Sequence, residues 1–185
     1  MQKFIYIIVL IIIAAIVSFF YLDSSNIVNT SISKDGNITT YNANGISFNY
    51  TKNWEPVNKT GKYVVVSLKD PTVNETDSKP GAVIEISKKA SGDIPLEKYY
   101  DEVKLGASGV PGYQQVSENR LEVDNRTAYE FVANGMDNGI EEQFRIILFE
   151  KGGYIYMIAC GTRAPTTLAD KNDEFNVIIN SFKAQ

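Results

Sequence analysis

The first hydrophobic pattern along the chain is an almost unbroken apolar run. Residues 4–22 read FIYIIVLIIIAAIVSFFYL, and only Ser18 interrupts the apolar side chains. A helix rises about 1.5 Å per residue, so this run would span roughly 28 Å, close to the hydrocarbon thickness of a bilayer. Lys3 precedes the run and Asp23 follows it, which by the positive-inside rule predicts a cytoplasmic N-terminus. The pattern predicts a transmembrane signal anchor over residues 1–22. The chain would be a single-pass protein of the cell membrane, with its C-terminal part outside.

A cleaved signal peptide is the main alternative for this segment. Signal peptides have shorter apolar cores, of roughly 7–15 residues, followed by small residues at the cleavage site. Here the bulky run from Phe19 to Leu22 occupies that place. The pattern therefore favours an uncleaved anchor, and cleavage stays open as the alternative.

The next segment is polar and carries little that could form a core. Residues 23–40 read DSSNIVNTSISKDGNITT, a composition that predicts a flexible tether. The glycosylation pattern Asn-x-Ser/Thr is frequent in the chain. Its candidate positions are Asn29, Asn37, Asn49, Asn58, Asn74 and Asn125. These sites fit an exported glycoprotein, and an Asn- and Thr-rich composition without glycosylation explains them equally well.

From residue 41 onward, apolar and polar positions mostly alternate, which is typical of β-strands with one buried face. The apolar positions of the predicted strands are Ile46, Phe48 and Tyr50; Val64, Val66 and Leu68; Ala82, Ile84 and Ile86; Tyr129 and Phe131; Phe144, Ile146 and Leu148. Residues 154–160 are apolar throughout, which predicts a central strand. Gly152-Gly153, Asp124-Asn125 and residues 134–139 have the composition of tight turns.

Two segments change to helical spacing. In the first, Leu96, Tyr99, Tyr100 and Val103 share one face, with Pro95 suited to the first helical position and Gly106 to the end. In the second, one face carries Leu168, Phe175, Ile178, Ile179 and Phe182, and Thr167 with Asp170 resembles a capping box. The predicted order is three strands, a helix, four strands and a helix. This order indicates an α+β domain over residues 41–185, with helices packed on an antiparallel sheet.

Composition removes several classes of function. The chain has no histidine, a single cysteine (Cys160) and a formal net charge of −4. It therefore cannot form an internal disulfide, a Cys/His zinc site or a site with histidine as general base. An acidic chain is also a poor nucleic-acid binder. Cys160 ends an apolar strand and is interpreted as a buried thiol. No catalytic residue or cofactor is predicted, and the chain is interpreted as non-enzymatic.

Two acidic loops and three aromatic residues are weak candidates for binding. Asp70, Glu75 and Asp77 could present oxygen ligands to a hard cation, but their spacing matches no calcium motif. A second acidic group comprises Asp137, Glu141 and Glu142, and for both groups a solvated loop is the simpler interpretation. Candidates for a ligand or partner surface are Trp54, Tyr99 and Tyr100, with core packing as the alternative. Lys88 and Lys89 could meet a partner at a strand end.

The order of these features resembles PsbP-like domains. The segment that opens at Tyr41 carries Gly45, Phe48 and Trp54, and a later hydrophobic strand runs into Asp70-Pro71. VDNRTAYEF and FNVIINSF continue the likeness to the end of the domain. The resemblance implies an α/β/α sandwich with a central antiparallel sheet, in a family whose shared theme is protein association. Family members include extrinsic subunits of photosystem II and a relative that binds a small GTPase. No functional residue of the family can be carried over.

These observations lead to two hypotheses about function. In the first, the chain is a non-enzymatic, membrane-tethered extracytoplasmic module that binds a protein complex of the membrane or surface. In the second, the tethered domain binds or senses a small ligand or a cation. The predicted anchor over residues 4–22 is common to both.

Overall fold

The computed structural model describes residues 30–32, 37–57, 61–76 and 78–185. These residues form eleven strands and two helices. In chain order they are β1 (Thr30–Ile32), β2 (Ile38–Ala43), β3 (Ile46–Thr51), β4 (Glu55–Val57), β5 (Val64–Lys69), β6 (Ala82–Ala90), α1 (Leu96–Ala107), β7 (Gln114–Val123), β8 (Arg126–Asp137), β9 (Ile140–Lys151), β10 (Tyr154–Arg163), α2 (Leu168–Ser181) and β11 (Lys183–Ala184).

Antiparallel hairpins build two sheets. The main sheet has seven strands in the order β4-β5-β6-β10-β9-β8-β7, and the second has four in the order β1-β2-β3-β11. Two of the predicted turns are confirmed by their backbone angles, but the turn predicted over residues 134–139 is confined to Asn138 and Gly139, because β8 continues to Asp137. Asp124 and Asn125 have φ of 50° and 58°, and Gly152 and Gly153 have φ of 60° and 77°. Two consecutive positive φ angles characterise the turn whose twist matches that of the flanking strands.

One helix covers each face of the main sheet. Tyr100 and Val103 of α1 belong to a core with Phe131, Phe144 and Leu148 of β8 and β9. Phe175, Ile178 and Ile179 of α2 belong to the opposite core, which also receives Tyr41 and Phe48 from the second sheet.

Phe182 joins the two sheets. Its ring centroid lies 6.4 Å from that of Phe48 in the second sheet. It also lies 5.4 Å from Phe149 and 5.8 Å from Tyr156 in the main sheet. The ring is completely buried, so both sheets pack around one side chain.

The predicted α+β class, with antiparallel strands and two helices, is confirmed. The capping box is present: the Thr167 hydroxyl accepts from the Asp170 backbone, and the Asp170 carboxylate accepts from the Thr167 backbone. The bounds of α1 differ slightly from the prediction. Pro95 is the N-cap, so the helix begins one residue later, and it continues past Gly106 to Ala107.

Two predictions need correction. The composition of residues 23–40 predicts a tether, yet β1 lies inside this range and β2 begins at Ile38. Thr30 pairs with Tyr41, and Ile32 pairs with Thr39. Backbone pairing holds β1 against β2, and such pairing does not require an apolar stripe along the outer strand. The prediction of a single central sheet is also incomplete, because the second sheet packs beside α2.

The predicted anchor over residues 4–22 lies outside the described residues. Within the described ranges, no helix is long and apolar enough to cross a membrane.

Candidate functional site

An open pocket lies between α1 and strands β7 and β8. Its volume is about 270 Å³. The lining residues are Glu97, Tyr100 and Asp101 of α1, Glu118, Asn119 and Arg120 of β7, and Tyr129 of β8. The first turns of α1 and the middle of the β7–β8 hairpin thus bring aromatic and charged side chains together.

Tyrosine rings form the apolar part of this pocket. The ring centroids of Tyr100 and Tyr129 are 5.2 Å apart, and the Arg120 guanidinium lies 4.9 Å from the centroid of Tyr129. The Tyr100 hydroxyl donates to the Glu130 carbonyl oxygen at 3.0 Å. Burial, and the Glu118 carboxylate beside it, raise the pKa of Tyr100 well above its usual value. Tyr100 therefore stays neutral and serves as a wall of the pocket.

Ion pairs border the pocket. Lys104 Nζ lies 2.6 Å from Glu118 Oε2, and this hydrogen bond lowers the pKa of Glu118. Arg120 lies 3.8 Å from Glu97 Oε1. The lining holds three carboxylates and one guanidinium. Its chemistry suits a polar group with positive charge.

The outer strand β7 extends this pocket into a larger surface. Within the described residues β7 has a strand neighbour on one side only, and its register shifts between Gln115 and Ser117. Two exposed apolar residues are close in sequence to the Lys104–Glu118 pair: Leu105, next to Lys104, is 63% exposed, and Val116, two residues before Glu118, is 59% exposed. We call the pocket, the outer edge of β7, Leu105 and Val116 the α1–β7 surface.

The three aromatic candidates do not form one site. Trp54 is buried against Phe175, at 5.7 Å between ring centroids, and its Nε1 donates to Glu174 Oε2 at 2.6 Å. It belongs to the α2 side of the main sheet. Tyr99 and Tyr100 lie on the α1 side, and only Tyr100 lines the pocket.

The first acidic loop is tied into the fold. Asp70 is buried and accepts from Lys171 Nζ at 2.5 Å and from the Thr72 backbone at 2.8 Å. Burial alone would raise the pKa of Asp70, but these hydrogen bonds lower it below its usual range. Glu75 is exposed and pairs with Lys69, while Asp77 lies outside the described residues. In the described part of the chain, no three acidic, cysteine or histidine side chains converge as metal ligands would.

The second acidic group contains a buried charge cluster. The fully buried Arg163 donates from Nη1 to Asp137 Oδ2 at 2.8 Å and to Glu142. Lys79 Nζ lies 2.5 Å from the same Asp137 oxygen. Burial raises the pKa of Glu142 to about 7, against the opposing effect of Arg163. Glu141 is exposed. The sequence pattern points to the carboxylates but not to Arg163 or Lys79. Arg163 could have been found, because it is a charged residue at the end of the apolar strand β10.

The remaining candidates are dispersed over the molecule. Asn37, Asn74 and Asn125 are exposed; Asn49 is half-buried and accepts from Thr40 Oγ1 at 2.9 Å. Asn29 and Asn58 lie outside the described residues. Cys160 is fully buried, and burial raises the pKa of its thiol to about 12.

The described residues thus define a class: an antiparallel α+β sandwich with a polar pocket beside its outer strand. Comparison with known proteins gives the family. The family model for PsbP-like proteins matches residues 5–184. The chain belongs to this family, which confirms the resemblance seen in the sequence. No curated protein matches it.

Solved structures share the fold at low sequence identity. The cyanobacterial PsbP (CyanoP) of Synechocystis has a TM-score of 0.60 at 14% identity, over 84% of this chain and 98% of that one. The Ran-binding protein Mog1p of Saccharomyces cerevisiae has a TM-score of 0.52 at 8% identity, over 85% and 96%. A Bacteroides thetaiotaomicron protein has a TM-score of 0.54 at 13% identity. This match covers 76% of this chain but only 45% of the other, longer chain.

Proposed function

We propose that the chain is a non-enzymatic accessory protein, tethered to the membrane by residues 4–22, that binds a partner protein outside the membrane. The observation that carries the proposal is the α1–β7 surface. It combines the outer edge of a ten-residue strand, a pocket with tyrosine walls and two exposed apolar side chains. Protein interfaces favour aromatic residues and arginine around a pocket, surrounded by a polar rim.

The charge of this surface indicates the character of the partner. Of the three carboxylates in the pocket lining, Glu118 pairs with Lys104 and Glu97 pairs with Arg120, so Asp101 supplies the excess negative charge. A partner segment with a lysine or arginine side chain would place its charge between the carboxylates and its stem on the tyrosine rings. Leu105 and Val116 would then be covered by apolar groups of the same segment. Protein binding by Mog1p supports such a role for the fold, and the apolar run over residues 4–22 supports the tether.

Crosslinking in native cells tests this function. The tagged full-length chain is crosslinked and purified, and its partners are identified by mass spectrometry. The double variant Leu105→Asp/Val116→Asp changes two exposed side chains and should lose a dominant partner. The control Met136→Asp/Asn180→Asp introduces the same two charges at exposed sites outside this surface and should keep it. Identical background proteins in all three samples, and in a chain without residues 41–185, would refute the proposal.

The pocket itself favours a second candidate function, the binding of a small cationic ligand by the tethered domain. A thermal-shift screen of amines would detect it, since a hundredfold excess over the dissociation constant stabilises a protein by about 2.7 kcal/mol. Glu97→Gln should weaken the response, whereas Glu75→Gln, at an exposed site outside the pocket, should not. An equal response of both variants would place the ligand elsewhere.

A further inference from the structure

The described domain begins at Thr30, near the turn between β2 and β3. Thr30 pairs with Tyr41, whose hydroxyl accepts from Asn44 Nδ2 at 2.7 Å. Asn44 belongs to the turn between β2 and β3, and its neighbour Gly45 lies beside the ammonium group of Lys88. Residues 1–29 therefore join the domain at the end of the main sheet where β6 ends and β10 begins.

This end carries lysines that lie over tyrosine rings. Lys88 Nζ lies 4.4 Å from the ring centroid of Tyr154, and Lys62 Nζ lies 5.3 Å from that of Tyr63. Lys89 Nζ lies 4.6 Å from the ring centroid of Tyr99. Tyr154 is 42% exposed. We call Lys62, Tyr63, Lys88, Lys89 and Tyr154 the lysine–tyrosine end.

The lysines of this end form no ion pair with a described carboxylate. Among the described residues, Lys62, Lys88 and Lys89 have no carboxylate within ion-pair distance, 4.0 Å. The nearby Asp124 is itself neutralised, since its side chain is 3% exposed and lies 2.5 Å from Lys151 and 3.3 Å from Lys183.

The carboxylates are concentrated elsewhere in the molecule. The carboxylates near the lysine–tyrosine end include Asp93, Glu122 and Glu150, and Glu102 lies near Tyr99. The opposite end of the main sheet holds the loops with Asp70, Glu75, Asp137, Glu141, Glu142 and Asp170. In a chain with a net charge of −4, these three lysines thus form a local basic patch around Tyr63, at the end where the N-terminal segment enters.

We propose that the lysine–tyrosine end docks on anionic lipid headgroups of the membrane that holds the chain. This inference rests on the proposed tether, because residues 4–22 must span the bilayer. The seven residues 23–29 then reach at most about 25 Å. Strand β10 has ten residues and spans about 33 Å. The tether is shorter than the sheet, so the end that contains Thr30 stays next to the lipid surface.

The chemistry of this end matches such a surface. Each lysine near an anionic membrane contributes about fivefold to association, an attraction that salt screens. Tyrosine suits the headgroup region because its ring is apolar and its hydroxyl is polar. Docking through this end would leave the α1–β7 surface free for a partner.

Energy transfer in proteoliposomes tests the orientation of the full-length chain. A dye is attached at Thr127→Cys, near the lysine–tyrosine end, or at Glu141→Cys, at the opposite end; both positions are exposed. The acceptor is a headgroup-labelled lipid in vesicles of phosphatidylcholine with or without phosphatidylglycerol. Transfer from position 127 should exceed that from position 141 when phosphatidylglycerol is present. The difference should be larger than in phosphatidylcholine alone, and high salt should reduce it to the value that the tether alone gives.

Charge variants separate this proposal from the tether. Lys62→Gln/Lys88→Gln should lower the ratio of docked to undocked protein by about 25-fold, or about fivefold per lysine. The matched control Lys52→Gln/Lys69→Gln, at the opposite end, should leave that ratio unchanged. A difference in transfer that phosphatidylglycerol does not increase, or equal behaviour of both variants, would overturn the docking while the chain still floats with the vesicles. A chain that fails to float with neutral vesicles would overturn the tether and the docking together.

Discussion

Replacing Glu142 by Gln should remove most of the pH dependence of stability between pH 5 and 8. Glu142 is buried beside the fully buried Arg163, and burial raises its pKa to about 7 from an ordinary value of 4.5. Between these two values the folded protein holds a proton that the unfolded chain releases. The free energy of unfolding therefore falls as the pH rises through this window.

The magnitude follows from the difference between the two pKa values. Each pKa unit corresponds to 1.36 kcal/mol, so the wild-type protein should lose at most about 3.4 kcal/mol between pH 4.5 and 7. Few other groups should change their protonation between pH 4.5 and 7. The chain has no histidine, and hydrogen bonds to Lys and Arg side chains outweigh burial and lower the pKa of Asp70, Asp124 and Asp137.

Urea denaturation at pH 5, 6, 7 and 8 measures the effect. The amide oxygen that Glu142→Gln introduces can still accept from Arg163, so the variant should fold and should be the more stable protein at pH 8. Glu141→Gln is the matched control, because the neighbouring side chain is exposed and should keep the wild-type slope. A wild-type stability that does not change over this range, or the same slope in both variants, would refute the reasoning.

Three further predictions concern the core. Phe182→Ala should cost about 3–5 kcal/mol in the free energy of unfolding, while Leu105→Ala should change it by less than about 0.5 kcal/mol; similar urea curves for both would contradict the role of Phe182. Glu174→Ala leaves the buried Trp54 N–H without its acceptor. It should cost about 1–3 kcal/mol and shift the emission of this single tryptophan, and unchanged emission would argue against that hydrogen bond. Cys160 should react with a thiol reagent only in the unfolded protein, and rapid labelling of the native state would show that it is accessible.

Local patterns in the sequence predict the parts of the fold that depend on neighbouring residues. Ile46, Phe48 and Tyr50 are all buried, as their alternation predicts. The capping box at Thr167 is recognisable because its two partners are three residues apart. Helix faces and tight turns follow from the same kind of short-range spacing.

Local sequence patterns do not predict the features that depend on pairing between distant segments. Strand β11 has two residues, Lys183 and Ala184, which show no pattern until they pair with β3. The cluster around Arg163 depends on the register of β9 and β10, which sets Arg163 opposite Glu142. Alternation places Glu85 on a polar face, yet this residue is buried because β6 is an inner strand of the main sheet.

The joining of the second sheet to α2 has a consequence for how the chain folds. The Asn49 backbone donates to Ser181 Oγ at 2.8 Å, across 132 residues. Such distant contacts form slowly, because a long loop must close before they stabilise anything. Synthesis at about 5–20 residues per second separates the two segments by roughly 7 to 26 s. During that interval Tyr41, Phe48 and Tyr50 lack the helix that covers them, so the nascent chain exposes an aromatic surface that holding chaperones would recognise.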